Sequence, residues 1–478
     1  MDKEDIYQSP LSGRYASREM SFLFSDKYKY TTWRKLWIAL AKAEHALGVP
    51  ITEAQIQSMI RELHSLDLAR VAEYEKVLQH DVMAHIHAYG DSCPEAKGII
   101  HLGATSCFVT DNTDLIQMKE GIKLLKIKLL QLIRHLASFA QNHASLACLS
   151  YTHLQPAQPT TVGKRACMWL QDLLMDFHDI EEKGETLRFL GAKGATGTQA
   201  SFLSLLNYDH SKVKRLEILI ATEMGFTKTL PISGQTYTRK QDIRIFSCLS
   251  SLAATAHKMA TDIRLLCHMG EVDEPFAEKQ VGSSAMPYKR NPMRSERICS
   301  LARFLISLNE NPLYTSATQW LERTLDDSAN RRLSISEAFL CADALLNLLN
   351  HIFSGLIVYP KMIEQHLNEH LPFMATENIL MHAVKKGKDR QFLHEALRKY
   401  TIAAARKWKE EGVKEDLLGM ILLDPEFHLS QTEMDEIMKL ENFIGRAPHQ
   451  VQEFLHEEVS PILKRHENLP SFEPRIEV

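Results

Sequence analysis

Between Asp114 and Ala144 the apolar residues Leu115, Met118, Ile122, Leu125, Leu129, Leu132, Leu136 and Phe139 recur at alternating intervals of three and four. That spacing keeps a single stripe on one face of a helix, because about 3.6 residues complete a turn. About thirty helical residues span ~45 Å, longer than a small domain is wide, so such a rod must lie against others. The stretches Gly163–Leu190, Arg239–Met269, Met293–Asn309 and Asp327–Ile357 supply candidates, each with little or no internal proline and with repeated apolar spacing. Together they predict a central bundle of about five long helices. Strand-length alternation is scarce, and no Val, Ile and Thr-rich run bounded by turns recurs at sheet spacing, so the expected fold class is all-α.

Two less regular portions flank the bundle, one with shorter helices near Thr31–Leu47 and Thr52–Ile60, the other opened by Tyr359-Pro360. The expected division is an N-terminal helical domain at 1–110, the long-helix bundle at 111–358 and a C-terminal helical domain at 359–478. A chain of 478 residues exceeds the roughly 250 to 300 at which one core stops growing. No repeat of solenoid length interrupts the pattern.

Composition removes several function classes. Hydrophobic residues are 45% and charged residues 24% of the chain, close to the averages of globular proteins and far from those of disordered ones. A net charge of -4 leaves no basic footprint for nucleic acid, although a local pocket can still hold an anionic small molecule. Eight cysteines without a CxxC pair read as reduced thiols. The start, MDKEDIYQSPLSGRY, lacks an apolar leader core, and no segment approaches a membrane-spanning apolar run. The expected location is cytoplasmic, with no membrane partner.

Chemistry concentrates where polar, Gly- or Pro-punctuated strings interrupt the helices. In Val281–Pro292, VGSSAMPYKRNP, two serines follow a glycine, Lys289 comes after them, and Pro287 and Pro292 limit the loop's shape. This string closely resembles the signature loop of the fumarase/aspartase superfamily, helical homotetramers that eliminate fumarate from a succinyl group on nitrogen or oxygen. The loop alone does not choose the substrate. Six further strings resemble the adenylosuccinate lyase family, in the form found in animals and some bacteria: SPLSGRYAS (9–17), HDVMAHIH (80–87), HLGATSCFVTDNTDL (101–115), THLQPAQPTT (152–161), ISGQTYTRKQD (232–242) and ERTLDDSANRR (322–332). The resemblance covers most of the chain.

Eliminating fumarate from a succinylated amine needs a base for the proton beside a carboxylate, an electrophile for the dianionic intermediate, and an acid for the departing nitrogen. By resemblance Ser283 is the base. A serine hydroxyl must be ionised by its surroundings to serve so, which Lys289 and the loop amides would favour. Lys289 would also hold the developing charge. His153 is implied as the acid, a role that suits an imidazole near neutral pH, with His80 assisting. The implied substrate contacts are Arg14, Tyr15, Gln79, His80, Asp81, Thr105, Ser106, Thr152, Gln235, Lys289, Asn291, Arg297, Arg323, Ser328 and Arg332. Arginine suits carboxylate and phosphate because its fork donates two parallel hydrogen bonds.

His80, His85 and His87 cluster in sequence, but separations of five and two do not share a helix face and no HExxH motif accompanies them. No metal and no organic cofactor are expected. GAKGATG (191–197) is preceded by no strand and ends in no Lys-Ser or Lys-Thr, so it reads as a turn between bundle helices bordering the site. Gln79 departs from the animal-type pattern, where an arginine is expected. Groups as distant as 80, 153 and 283 lie on loops that a long bundle would place at opposite ends. The resemblance implies a homotetramer whose sites are shared between subunits, and the heptad stripe is compatible with packing between them. The loop at 281–292 is expected to close as a hinged lid, with Gly282 supplying backbone freedom. Another lyase of the superfamily, such as argininosuccinate lyase, or a catalytically silent helical scaffold remain the alternatives. A phosphate site at Thr105, Ser106, Arg323 and Arg332 distinguishes the first.

Overall fold

The computed structural model describes residues 7–277, 280–282, 284–470 and 472. Five helices come first: α1 (Arg18–Leu23), α2 (Asp26–Ala46), α3 (Glu53–Arg61), α4 (Leu68–Leu78) and α5 (Asp81–Ser92). The long α6 (Ser106–Asn142) leads into a hairpin of β1 (Ala147–Thr152) and β2 (Gln155–Thr161) and then α7 (Val162–Thr186). After α8 (Ala200–Leu205) and α9 (His210–Glu223) come α10 (Lys240–His268), β3 (Val272–Asp273), α11 (Met293–Leu308), α12 (Glu310–Ala317), α13 (Asp326–Phe353) and β4 (Ile357–Val358). The chain ends with α14 (Pro360–Lys385), α15 (Arg390–Glu411), α16 (Leu417–Leu423), α17 (Gln431–Ile437), α18 (Glu441–Ile444), α19 (Ala447–Phe454) and α20 (Ser460–Arg465).

The all-α expectation holds, and α6, α7, α10, α11 and α13 are the five long helices of the bundle. Helix α6 begins nine residues before the apolar stripe does. Its opening turns carry Asp111, Asn112 and Thr113, polar yet buried, so hydrophobic periodicity cannot register them. Local chemistry marks other starts: Ser17 and Ser25 cap α1 and α2, and Thr52 with Gln55 forms a capping box on α3, satisfying amides that lack a helical partner.

All eight residues of the α6 stripe are buried within their own chain. They are therefore not available for packing against another copy, contrary to the reading that linked the heptads to intersubunit packing. By length and composition α13 alone among the described helices passes as membrane-spanning, yet 83% of its apolar window is buried in the protein. Its apolar surface faces the other bundle helices; α1, α2, α3 and α5 share that core, while Val71 of α4 packs in a small separate cluster with Ala84 and Ala88 of α5. Helices α14 to α17 close around a second core containing Ile379, Leu397, Ile421 and Phe427. Residues Val451, Leu455, Val459 and Ile462 then return to the main one.

Candidate active site

Helices α5, α6 and α13 begin close together, and their first turns assemble one group of polar side chains. His80 is the N-cap of α5; its Nδ1 accepts the Met83 N–H at 3.3 Å. With Nδ1 an acceptor, the proton of the neutral ring resides on Nε2. That nitrogen lies 3.4 Å from Ser106 Oγ. Thr105 precedes α6 without a side-chain capping bond, which leaves the helix N-terminus open to an anion. Asp81 accepts from Val82 N at 2.8 Å and from Arg332 Nη2 at 2.8 Å. Burial pushes its pKa up, but the Val82 amide and Arg332 hold it below the ordinary aspartate value. Gln79 sits in the left-handed region as the C-cap of α4 (φ 52°), its side-chain amide donating to Lys76 O at 3.0 Å.

Beneath this group lies a buried ionic lattice. Arg239 donates to Asp111 Oδ2 and Asp327 Oδ2, each at 2.9 Å; Arg331 reaches Asp242 at 2.8 Å and Asp114 at 2.9 Å. Tyr237 donates its amide to Asp111 at 3.0 Å and its hydroxyl to Asp242 at 2.6 Å. Asp327 also accepts from Arg323 at 2.8 Å. Burial raises the Asp327 pKa, while Arg239 and Arg323 hold it down. Gln235 receives Cys107 Sγ at 3.5 Å, donates to Ala195 O at 3.0 Å, and its own N–H reaches Glu322 O at 3.0 Å. Gly197 has φ 82°, and a Cβ there would collide with the Ser233 carbonyl, so this approach requires glycine. GAKGATG thus runs alongside Gln235. Ser328 lies beside Asp327 in the first turn of α13.

Three other groups stand apart. The Tyr15 ring receives the guanidinium groups of Arg14 at 6.0 Å and Arg297 at 5.5 Å, distances suited to cation–π attraction. His153 and Leu154 form the two-residue tip between β1 and β2, with φ 54° and 56°. Two left-handed residues match the twist of a tight hairpin, but without glycine each costs about 1 kcal/mol or more. Both are exposed, as is Thr152. In the signature loop Lys289 is exposed, and Asn291 Nδ2 donates to Gly282 O at 2.9 Å. Gly282 is required for space, not left-handed freedom: a Cβ would meet the Lys289 carbonyl. Glu274 anchors the far end by accepting from Ser295 N at 2.7 Å and Arg294 N at 3.0 Å. Ser283 lies outside the described residues. Among the described residues no hydrogen bond or ion pair joins His153 to His80, Lys289 or Arg14.

The hairpin was not legible in THLQPAQPTT, because Pro156 and Pro159 argue against a strand; the structure accommodates them with an irregularity at Leu149/Ser150. The lattice residues Asp111, Asp114, Arg239, Asp242, Asp327 and Arg331 were also missed. Their signal was present: acids and arginines inside DNTD, TRKQD and DDSANRR. His85 stacks on Tyr30 at 4.0 Å and His87 on Tyr74 at 5.2 Å, so neither joins His80. A cavity of about 410 Å³ between α14 and α15, lined by Glu369, Phe373, Trp408 and Lys414, contains none of these groups.

Comparison with known proteins converges on one group. Residues 14–305 match the family described as Lyase, and 372–454 the one described as Adenylosuccinate lyase C-terminus. The adenylosuccinate lyase of Saccharomyces cerevisiae is 50% identical over 467 residues, 97% of each chain. That of Schistosoma mansoni is 50% identical over 97% of each, and that of Pyrococcus abyssi 32% over 92% of this chain and 95% of its own. Among solved structures, a fumarate lyase from Mesorhizobium sp. BNC1 superposes with TM-score 0.80 at 21% identity, covering 95% of this chain and all of its own. A 3-carboxy-cis,cis-muconate lactonizing enzyme from Pseudomonas putida gives 0.82 at 22%, covering 92% and 97%. These two share the fold.

Proposed function

The chain belongs to the adenylosuccinate lyase family of fumarate-releasing lyases, and from that premise we propose that it splits adenylosuccinate into AMP and fumarate, and succinyl-aminoimidazole-carboxamide ribotide into its free carboxamide ribotide and fumarate. The observation that carries the assignment is the junction of α5, α6 and α13, where an uncapped helix N-terminus at Thr105 and Ser106 lies with Arg323 and Arg332, each oriented by an aspartate. Helix amides and fixed guanidinium groups suit a nucleotide phosphate.

In the reaction, Ser283 removes the proton from the carbon beside a succinyl carboxylate. The electron pair forms the new double bond, the carbon-nitrogen bond breaks, and His153 gives the nitrogen its proton. Lys289 offsets the charge that develops on the carboxylate in the dianionic intermediate. His80, with Nε2 as its proton-bearing atom, hydrogen-bonds the substrate and assists His153. Arg14, Tyr15, Asp81, Arg297 and Gln235 contact substrate around this centre, with Gln79, Thr152, Asn291 and Ser328. No cofactor or metal is invoked.

The reacting groups are brought together by assembly. His153 is exposed on a left-handed tip, a conformation of appreciable cost that is maintained at functional sites when surroundings over-determine it. Trp320, Leu321, Leu325 and Leu333 form an exposed apolar stretch around the start of α13, which favours burial against another copy. A homotetramer, located in the cytoplasm and with sites shared between subunits, follows from this reading. The deciding experiment is fumarate release followed by ultraviolet absorbance. Turnover of adenylosuccinate but not argininosuccinate supports the assignment, and the reverse preference overturns it.

A further inference from the structure

The segment that presents Arg14 and Tyr15 is held at both ends by carboxylates of α13. Ser9 Oγ donates to Glu337 Oε2 at 3.1 Å, and the Ser17 N–H donates to Asp343 Oδ2 at 2.6 Å. Between these anchors lies the turn Leu11–Tyr15, closed by Ala16 N donating to Leu11 O at 2.8 Å. Only Leu11 of that turn is buried. Tyr15 packs partly against the main core and under Arg297, and the two anchors fix the backbone from which it and Arg14 project.

Asp343 is fully buried and held from several sides. One oxygen receives the Lys128 ammonium from α6; Asn347 Nδ2 donates to the other at 3.1 Å and Asn347 Oδ1 accepts from Lys128 at 2.8 Å. The Phe472 ring lies 4.6 Å from Lys128 Nζ, so the end of the described chain covers the pair. A carboxylate so surrounded cannot swing to follow a moving partner. It serves as a fixed point to which the N-terminal segment is tied.

We infer that Asp343 is a positioning residue for substrate binding: by holding the Ser17 amide it sets the direction in which Arg14 and Tyr15 meet the anionic substrate. This rests on the reading above that Arg14 and Tyr15 contact substrate. An untied turn must be ordered when substrate binds, which weakens affinity without altering the proton transfers. The effect belongs in KM, not kcat.

Replacing Asp343 itself would strand the buried Lys128 charge and mix folding with binding. Ser17 offers a cleaner test. Its φ and ψ are -68° and 158°, and those of Ala16 are -78° and 157°, values that proline and its preceding residue adopt without strain. Ser17→Pro therefore puts a ring carbon where the N–H was and pushes the segment off Asp343, while Lys128 and Asn347 still satisfy the carboxylate. Ser17→Ala keeps the N–H and loses only the hydroxyl that caps α1 through Met20 N.

Steady-state kinetics with adenylosuccinate should show KM about tenfold higher in Ser17→Pro than in Ser17→Ala, the scale of one hydrogen bond to a charged group, with kcat within about threefold. Thermal midpoints of the two variants should agree within a few degrees. Ser9→Ala, which releases the other anchor and demands no new backbone geometry, should raise KM about threefold at unchanged kcat. Equal KM in Ser17→Pro and Ser17→Ala overturns the inference, as does a loss confined to kcat; if Ser17→Pro does not fold, an unchanged KM in Ser9→Ala overturns it. Arg14→Gln separates the two levels of argument. If its KM is normal, the substrate contact itself is wrong; if its KM rises while that of Ser17→Pro does not, only the positioning role fails.

Discussion

The ionic lattice around Arg239 and the hairpin tip at His153 represent opposite ways of holding a functional group. In the lattice Arg239, Arg323 and Arg331 interlock with Asp111, Asp114, Asp242 and Asp327, mostly out of water. Burying such charges brings little net stability, because desolvation offsets the Coulomb attraction, but any arrangement that separates the partners costs far more. The result is one geometry, complete within a single chain. At the tip, His153 stands exposed on two left-handed residues, with no described neighbour to aim it. On the function proposed above, the groups for ground-state binding are arranged within one chain, whereas those assigned to proton transfer are to be completed by assembly.

The sharpest way to break that comparison is His153→Gln. It should lower kcat by about 10²- to 10⁴-fold, the usual contribution of a positioned acid, while circular dichroism and oligomer size stay unchanged. Retention of more than about half the activity would remove His153 from the mechanism. Next in size is the recovery expected from hybrids. Inactive His153→Gln and Ser283→Ala proteins, dissociated together and reassociated, should regain activity in about a quarter of sites if the two residues come from different subunits. No recovery in verified hybrids would place both in one chain.

The lattice side is tested by Arg239→Met, which leaves Asp111 and Asp327 buried without their shared partner. Urea unfolding should show a loss of about 3 to 5 kcal/mol, and a loss below ~1 kcal/mol would mean the lattice is dispensable. A pH titration sharpens what pairing contributes. Glu44 is fully buried, and among the described residues neither of its carboxylate oxygens has a hydrogen-bond partner. Burial pushes its pKa up to about 8. Above the ordinary glutamate value the unfolded chain releases this proton while the folded protein retains it. Stability is therefore lost as pH rises from that value to about 8, and is level beyond. Against Glu44→Gln, the wild type should lose about 1.4 kcal/mol per pH unit across that window. A constant difference between the two proteins from pH 5 to pH 8 would show that Glu44 is ionised throughout.

Much of this architecture was legible before any coordinates. Apolar spacing announced the long helices of the bundle, because a helix that buries one face must repeat its apolar residues near every 3.6 positions. The six strings and the signature loop carried the family, because chemistry at a site restricts residue identity over consecutive positions. Composition excluded a basic nucleic-acid surface by charge alone.

Tertiary structure decided what depends on groups distant in sequence. Periodicity could not show that the polar opening of α6 is buried, since Asp111 and Asn112 are tolerated there only because Arg239, Tyr237 and the Gly191 backbone satisfy them. Nor could it show that β2 pairs despite its prolines, that the α6 stripe lies inside its own chain, or that the N-terminal Arg14 segment is tied to Asp343 on α13. Each of these is a matter of which partners meet across the fold, and hydrogen bonding and charge pairing are satisfied in space, where neighbours in sequence have no privilege.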